Sequence, residues 1–366
     1  MKVLIYALSF IEGMLVMSFE LISTRLLAPY FGTSLYVITS VLGVTMLSLL
    51  IGYYLGGNLV KRNSKNIEYI FLGIAACYLI LLPIFAPTLL TTCLQFGLLT
   101  GVMLASILTI SIPLILLGAV SPIFVQQLAE INEKAGTASG NIYAISTLGG
   151  VLSTFVIGLW FVPVWGIQKT AFITGLLASM VPIYMFLSKE IRGKFAILFL
   201  LISCCIVNLS FTPASQYNLV GVKKLYSSQG ILGQLEVFEE LNDKTRLLLN
   251  NGMLQTKANK ENWISLMPYN HIISTVASYL PVDSRQNAAL IGLAGGTLVD
   301  ELKRLGYQNI TVVDIDNRTN EVAKNYFGIQ QDDYTFINDD GRHFIRTTKN
   351  SFDVIIVDVS LSEQQP

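Results

Sequence analysis

The sequence predicts an α-helical membrane bundle of about seven spans, followed by a small β-domain and an open α/β domain that is incomplete at its C-terminus. Three observations support this. Charged residues are sparse before about residue 212, a glycine-rich turn lies between a strand pattern and a helix pattern, and strands then alternate with helices. The predicted domains are a transmembrane helical domain (1–211), an antiparallel β-domain (212–258) and a nucleoside-binding α/β domain (259–366).

The composition restricts the class of partner. The 366 residues carry no net charge and only 13% are charged, against roughly 25% in soluble domains. A neutral chain gives no reason to expect nucleic acid as a partner. The cysteines lack metal-ligand spacing, so no metal is predicted; they are Cys77, Cys93, Cys204 and Cys205.

Apolar stretches long enough to cross a bilayer make up the first half, so a lipid bilayer is a predicted partner. The predicted spans are 3–24, 36–59, 67–90, 97–120, 141–163, 170–188 and 195–211. Eight basic residues lie on one side and four on the other, which favours an N-terminus inside. Seven spans would then put the second half outside, whereas a nucleoside cofactor favours the cytoplasm.

Two carboxylates, Glu12 and Glu20, lie on one face of the first span. Acidic residues in hydrocarbon usually face the bundle interior. They predict either a substrate or proton site or a structural pair bonded to neighbouring helices, and one sequence does not separate the two.

The second half begins with alternating strands. Gln234–Phe238 and Thr245–Leu249 alternate, and an Asn-Gly turn at 251–252 predicts a hairpin. An amphipathic helix from Trp263 to Leu280 follows. Strands at 288–291, 310–313, 334–337 and 354–357 then alternate with helices, which predicts a parallel Rossmann-like sheet with ligands at its carboxyl edge.

The glycine turn Gly292-Leu-Ala-Gly-Gly296 predicts close approach of a ligand to the backbone at a helix N-terminus. Asp314, at the tip of the next strand, is suited to accept hydrogen bonds from both ribose hydroxyls. The alternative is a relic without ligand.

Two more carboxylates end strands of this sheet. Asp340, before Gly341, could accept from the exocyclic amine of adenine, or belong to a solvated turn. Asp358 could take a proton from an attacking amine, or cap its strand.

Taken in order, these motifs resemble the spermidine synthase family of aminopropyltransferases, which share a methyltransferase-type fold. The matching runs are Ala289–Leu298, Thr311–Asp316, Asp340-Gly341, Phe352–Asp358, Asn251–Gln255 and Tyr269-Asn-His271. The first half resembles a bacterial branch with an integral-membrane N-terminus, which implies a multi-pass protein of the cell inner membrane. The motifs there are Arg25–Gly32, Gly52–Gly57 and Gly140–Gly149.

The resemblance implies the roles of the site residues and the ligands. Asp358 and Tyr269 would be catalytic. S-adenosylmethionine or its decarboxylated form, as substrate, would contact Gly292, Ala294, Gly295, Gly296, Asp314, Asp340, Gly341 and Gln255. The acceptor would be a small-molecule amine.

This chain departs from the family at the acceptor side. Ala294 stands where the soluble enzymes carry an acidic residue, and His271 replaces a glutamate. A polyamine needs several carboxylates, so its recognition is in doubt. The fold of the family has seven strands in its main sheet, and this sequence predicts four. Either the chain is a fragment, or a partner, such as a second copy, supplies the sheet edge.

Three functions follow as hypotheses. The first is a membrane-anchored aminopropyltransferase. The second is an S-adenosylmethionine-dependent methyltransferase, which Ala294 favours. The third is a transporter or sensor with a non-catalytic ligand-binding domain, which Glu12 and Glu20 favour.

Overall fold

A computed structural model describes residues 2–61, 67–131, 134–188, 221–242 and 244–359. The chain divides into two compact units. The first comprises Met1–Gln216 with Gln229–Ile231 and Pro366, and the second comprises Tyr217–Ser228 and Leu232–Gln365. The predicted seventh span (195–211) and the first residues of the predicted β-domain (212–220) lie outside the described residues.

The first unit is a bundle of long apolar helices. They are α1 (Lys2–Phe31), α2 (Leu35–Lys61), α3 (Ile67–Cys93), α4 (Leu98–Ala129), α5 (Ala135–Val156) and α6 (Val162–Ser188). Within the described ranges, five helical stretches are long and apolar enough to cross a membrane. The span count of seven is therefore not confirmed.

Of the two spans by which the counts differ, one (195–211) lies outside the described residues, and the other arises from the stretch Ala135–Met180, which runs for 46 residues. A helix of that length would measure about 70 Å, more than twice the hydrocarbon thickness. A π-helical turn (Ile157–Phe161) joins α5 to α6, and Gly166 inside α6 has a non-helical φ of 77°. The backbone therefore breaks between the predicted spans 141–163 and 170–188.

Small residues allow the helices of this unit to approach closely. A Cβ on Gly13 of α1 would lie 1.8 Å from the Ser146 carbonyl oxygen of α5. A Cβ on Gly56 of α2 would lie 2.3 Å from the Ala119 carbonyl oxygen of α4. Both contacts are too short for any side chain, so the pairs α1–α5 and α2–α4 depend on glycine.

The second unit begins with an antiparallel sheet in the order β1 (Val222–Gly230), β2 (Gly233–Glu240), β3 (Thr245–Asn250) and β4 (Met253–Asn259). The β3–β4 turn has positive φ at Asn251 (49°) and Gly252 (79°), as a type I′ hairpin requires. Leu248 pairs with Thr256 but Leu249 pairs with Leu254, so Gln255 is an extra residue in a β-bulge.

The rest of the unit is a parallel α/β layer. Its strands are β5 (Asn287–Ile291), β6 (Asn309–Asp314), β7 (Thr335–Asn338) and β8 (Val354–Val357), in the spatial order β7-β6-β5-β8. The helices are α7 (Pro268–Ala277), α8 (Thr297–Arg304), α9 (Asn317–Tyr326) and α10 (Gly341–Thr347). The strand order reverses beside β5, where open α/β sheets bind ligands.

The helix predicted to begin at Trp263 begins at Pro268 instead. Trp263 has φ of 58°, and Ser265 forms a bridge with Ala258 of β4. These residues continue the β-sheet contact, so the helix starts only where proline supplies a suitable N-terminal turn.

Candidate functional site

The glycine turn forms a tight loop between β5 and α8. Gly292 has φ of 97°, and its N–H donates to the Val313 carbonyl oxygen at 2.8 Å. A Cβ at Gly292 would lie 2.1 Å from the Asp358 carbonyl oxygen. The loop therefore lies directly against the end of β8, and glycine is required there by both conformation and space.

Asp314 fixes the start of this loop from the tip of β6. Its carboxylate accepts the Leu293 N–H at Oδ2 and the Asp316 N–H at Oδ1, each at 2.8 Å. Burial raises the pKa of Asp314, and the two N–H donors oppose that shift. The Thr319 hydroxyl is a third partner of this carboxylate. A carboxylate has about four acceptor positions, so at least one remains for a hydroxyl group of a ligand.

Asp358 and Tyr269 come together from two distant parts of the chain. Asp358 follows β8, where its N–H donates to the Ile291 carbonyl oxygen at 2.8 Å. The Tyr269 hydroxyl, from the first turn of α7, donates to Asp358 Oδ2 at 3.4 Å. Burial raises the pKa of Asp358, and the tyrosine hydrogen bond opposes it. Burial and the neighbouring Asp358 raise the pKa of Tyr269 to about 12.

Asp340 lies after β7 and caps α10. Its Oδ1 accepts the N–H groups of Arg342 (2.8 Å) and His343 (3.1 Å), and these contacts leave Oδ2 unused. A Cβ on Gly341 would lie 2.3 Å from Ile291 Cγ2, so this turn packs against the tip of β5. Asp340 is exposed, so its predicted role toward adenine would use a carboxylate open to solvent.

The β-sheet contributes to the loop through its bulge. The Gly295 N–H donates to Thr256 Oγ1 at 2.9 Å. Gln255, predicted to contact the ligand, is the bulged residue next to Thr256. Bulges redirect side chains and are common beside active sites. The strand β4 therefore holds the centre of the glycine loop through Thr256 and orients Gln255 at the adjacent position of the same bulge.

The acceptor side shows the consequences of the departures noted in the sequence. Ala294 has φ of 47° and packs against an apolar cluster of the β-sheet and α9. His271 is exposed, and its Nε2 lies 2.8 Å from the Ser265 carbonyl oxygen. Neither position supplies a carboxylate, so Asp358 is the candidate group for binding an amine.

Sequence reasoning missed three polar residues that support the site. Thr256 holds Gly295, and Asn338 Nδ2 donates to the carbonyl oxygens of Asp314 (2.9 Å) and Ile315 (3.0 Å). Asn270, 2% exposed, donates to Thr297 Oγ1 at 2.9 Å beside the N-terminus of α8. Position was the only available signal: Thr256 and Asn338 each follow a predicted strand, and Asn270 lies inside the predicted helix Trp263–Leu280.

The part of the chain described by the structure contains no group of three or more His, Cys, Asp or Glu side chains suited to hold a metal ion. The groups described above at the sheet edge are carboxylates, a phenol and backbone N–H groups.

This arrangement agrees with a comparison to known families. Residues 267–365 match the family model described as spermine/spermidine synthase domain. This segment is a spermidine synthase domain. It contains β5 to β8 with Asp314, Asp340, Asp358 and Tyr269, so the resemblance inferred from those motifs is confirmed there.

Homologues of the chain are named polyamine aminopropyltransferases, consistent with an aminopropyltransferase-like enzyme. Polyamine aminopropyltransferase 1 of Aquifex aeolicus is 29% identical over 141 residues, covering 37% of this chain and 48% of the relative. The Oceanobacillus iheyensis polyamine aminopropyltransferase is 24% identical over 361 residues, covering 86% of this chain and 64% of the relative. The chain thus spans about half to two thirds of the length of these relatives.

A crystal structure of a spermidine synthase in complex with the transition state analogue AdoDATO is 22% identical to this chain over the aligned part. It covers 38% of this chain and 47% of its own, with a TM-score of 0.33.

Proposed function

We propose that the chain is a membrane-anchored aminopropyltransferase that takes decarboxylated S-adenosylmethionine as donor and a small-molecule amine as acceptor. The observation that carries this proposal is the meeting of Asp314, the Gly292 loop and Asp358 at one edge of the parallel sheet. The homologues' names support the choice of reaction.

The donor would lie across the tips of β6 and β5. Asp314 would accept the ribose hydroxyls with the acceptor capacity that the loop N–H groups and the Thr319 hydroxyl leave open. Asp340 Oδ2 would accept from the adenine amine, and Gln255 and Gly295 would border the aminopropyl side. The alternative donor is S-adenosylmethionine itself, which differs from the decarboxylated form by one extra carboxylate.

In the transfer, the acceptor nitrogen attacks the carbon bonded to the sulfonium. A C–N bond forms, the C–S bond breaks, and the electron pair leaves with a neutral thioether. The amine proton passes to the Asp358 carboxylate. The sulfonium is already a good leaving group, so orientation and a base supply most of what the protein must add.

The ribose assignment is tested by Asp314→Ala with labelled decarboxylated S-adenosylmethionine and the full chain. Loss of a charged acceptor of two hydrogen bonds should weaken binding by about 100-fold. Asp353→Ala is the matched control, because Asp353 also accepts two backbone N–H groups (Gln286 and Asn287), at the opposite edge of the same sheet. Equal affinity of both variants and wild type contradicts the assignment.

A methyltransferase is the second candidate, and Ala294 favours it. Without an acid in the loop, the carboxylate of S-adenosylmethionine meets no negative charge there. Mass analysis of the product distinguishes a methyl from an aminopropyl addition. Donor binding without any turnover would instead favour the sensor or transporter hypothesis.

The membrane location is also a proposal. Five apolar helical stretches support a multi-pass protein, and the cytoplasm is the compartment that holds the donor. The inner membrane, the cytoplasmic side of the second unit and a homo-oligomer remain predictions.

A further inference from the structure

A buried carboxylate in the first unit takes no part in the chemistry described above. Glu12 of α1 is 2% exposed, and its Oε2 accepts a hydrogen bond from Ser146 Oγ of α5 at 2.6 Å. The hydroxyl of Ser121, in α4, is a second partner. Glu20 differs, since it is partly exposed, so the two glutamates predicted as a pair have different surroundings.

The carboxylate lacks a compensating charge. Among the described residues, no Lys, Arg or His forms an ion pair with Glu12. A buried carboxylate whose only donors are two hydroxyls is costly to ionise. It therefore favours a bound cation or a proton.

Two tyrosines connect this group with the surface of the unit. Tyr53 of α2 lies within electrostatic range of both Glu12 and Tyr143 of α5. Tyr53 is 41% exposed and Tyr143 is 49% exposed. Four helices thus direct one carboxylate, two serine hydroxyls and two phenols to one region.

The backbone around this region is held by close contacts. Gly13, next to Glu12, touches the backbone of Ser146, and Gly56 of α2 touches Ala119, two residues from Ser121. These glycine contacts fix the separation of α1 from α5 and of α2 from α4. The polar groups are therefore preorganised rather than gathered by a flexible side chain.

We propose that Glu12, Ser121, Ser146, Tyr53 and Tyr143 form a binding site for an alkylammonium group. An ammonium carries three N–H donors and no acceptor, which matches a carboxylate with surrounding hydroxyl oxygens. Aromatic rings attract an organic cation further. The site stands on the first unit alone, whereas the choice of a diamine as probe rests on the proposed function.

The test uses the full chain in lipid nanodiscs and radiolabelled 1,4-diaminobutane. We expect two classes of bound diamine. Glu12→Gln, which keeps the size but removes the charge and replaces one acceptor oxygen with an NH2 donor, should remove one class. Asp358→Asn should remove the other. The Asp358-dependent class tests the proposed transferase, and the Glu12-dependent class tests this inference. The two proposals can therefore fail separately.

Glu20→Gln is the matched control, since it removes the other glutamate of α1, and it should leave both classes intact. Tyr143→Phe removes one exposed hydroxyl without a packing defect and should weaken the Glu12-dependent class about tenfold. It carries the test if Glu12→Gln does not fold. Unchanged binding in Glu12→Gln and Tyr143→Phe, or displacement by sodium but not by ethylammonium at equal ionic strength, would overturn the proposal.

Discussion

At the scale of the residue, Gly292 shows how a missing side chain sets the geometry of a site. Its φ of 97° is a backbone conformation that favours glycine. A Cβ added at this position would lie 2.1 Å from the Asp358 carbonyl oxygen, which is too close for any side chain. The loop after β5 and the end of β8 can meet because nothing lies between them.

Gly292→Ala should therefore be more destabilising than its conformation alone explains. Gly306→Ala is the matched control, because Gly306 has a similar φ of 91° but open space around its Cβ position. The control should cost about 1–2 kcal/mol from the left-handed backbone. Gly292→Ala should cost about 1–3 kcal/mol more from the clash. Chemical denaturation measures both, and equal losses would contradict a steric role.

Tyr269 should control the pH at which Asp358 works. The base acts when deprotonated, so activity should fall as the pH drops through the pKa of Asp358, which burial raises above 3.8. The Tyr269 hydrogen bond lowers this pKa, so Tyr269→Phe should move the acid limb of the rate profile to higher pH. Tyr334→Phe is the control, since its hydroxyl bonds to Asn320. An unmoved limb in Tyr269→Phe would argue against this contact.

The carboxylates at the strand ends were predictable from the sequence because their spacing follows from the strand–helix alternation. Asp314 ends β6 and Asp358 directly follows β8, and both strands have an apolar pattern. The role of Tyr269 came from the resemblance alone, and its hydrogen bond with Asp358, 89 residues away, was not predicted. Asn338 could not be predicted, since its role depends on where the neighbouring strand ends.

At the scale of the element, the bulge in β4 joins the β-sheet to the glycine loop. One extra residue, Gln255, sits between the pairs 248–256 and 249–254, and Thr256 then meets the Gly295 N–H. The Asn251-Gly252 turn was readable from the sequence because two positive φ values require such residues. The bulge was not, because it depends on pairing.

Thr256→Val should loosen the loop while preserving its shape. The substitution keeps the volume but leaves the buried Gly295 N–H without its acceptor, which costs about 1–3 kcal/mol. Hydrogen exchange should accelerate at the amides of 293–297. Thr335→Val, on an exposed face of β7, is the control and should leave that exchange unchanged. Protection equal to wild type in Thr256→Val would show that the bond is dispensable.

At the scale of the whole molecule, the two halves differ in apolar character, and this difference was the feature most readable from composition. The number of spans was less so: the sequence separated the spans 141–163 and 170–188 around Gly166, but the described residues form five long apolar stretches rather than seven. The described helices α1 to α6 alternate in direction if each crosses the bilayer. The turn at 94–97 and the loop at 130–134 then lie on opposite faces.

Cysteine labelling tests this arrangement. With the N-terminus inside, Gln95→Cys should react with a membrane-impermeant maleimide in intact cells, whereas Lys134→Cys should react only after permeabilisation. Both positions are exposed, while native Cys77 and Cys93 are buried. Labelling of both from the same side would rule out an odd number of crossings by α4.

The contact between Gly292 and the Asp358 carbonyl oxygen has one further consequence. A donor that displaces the loop by a few tenths of an ångström must also displace Asp358, the proposed proton acceptor, since no gap separates the two backbones. Affinity and turnover are then mechanically linked, and improving one by remodelling this bend alone would disturb the other.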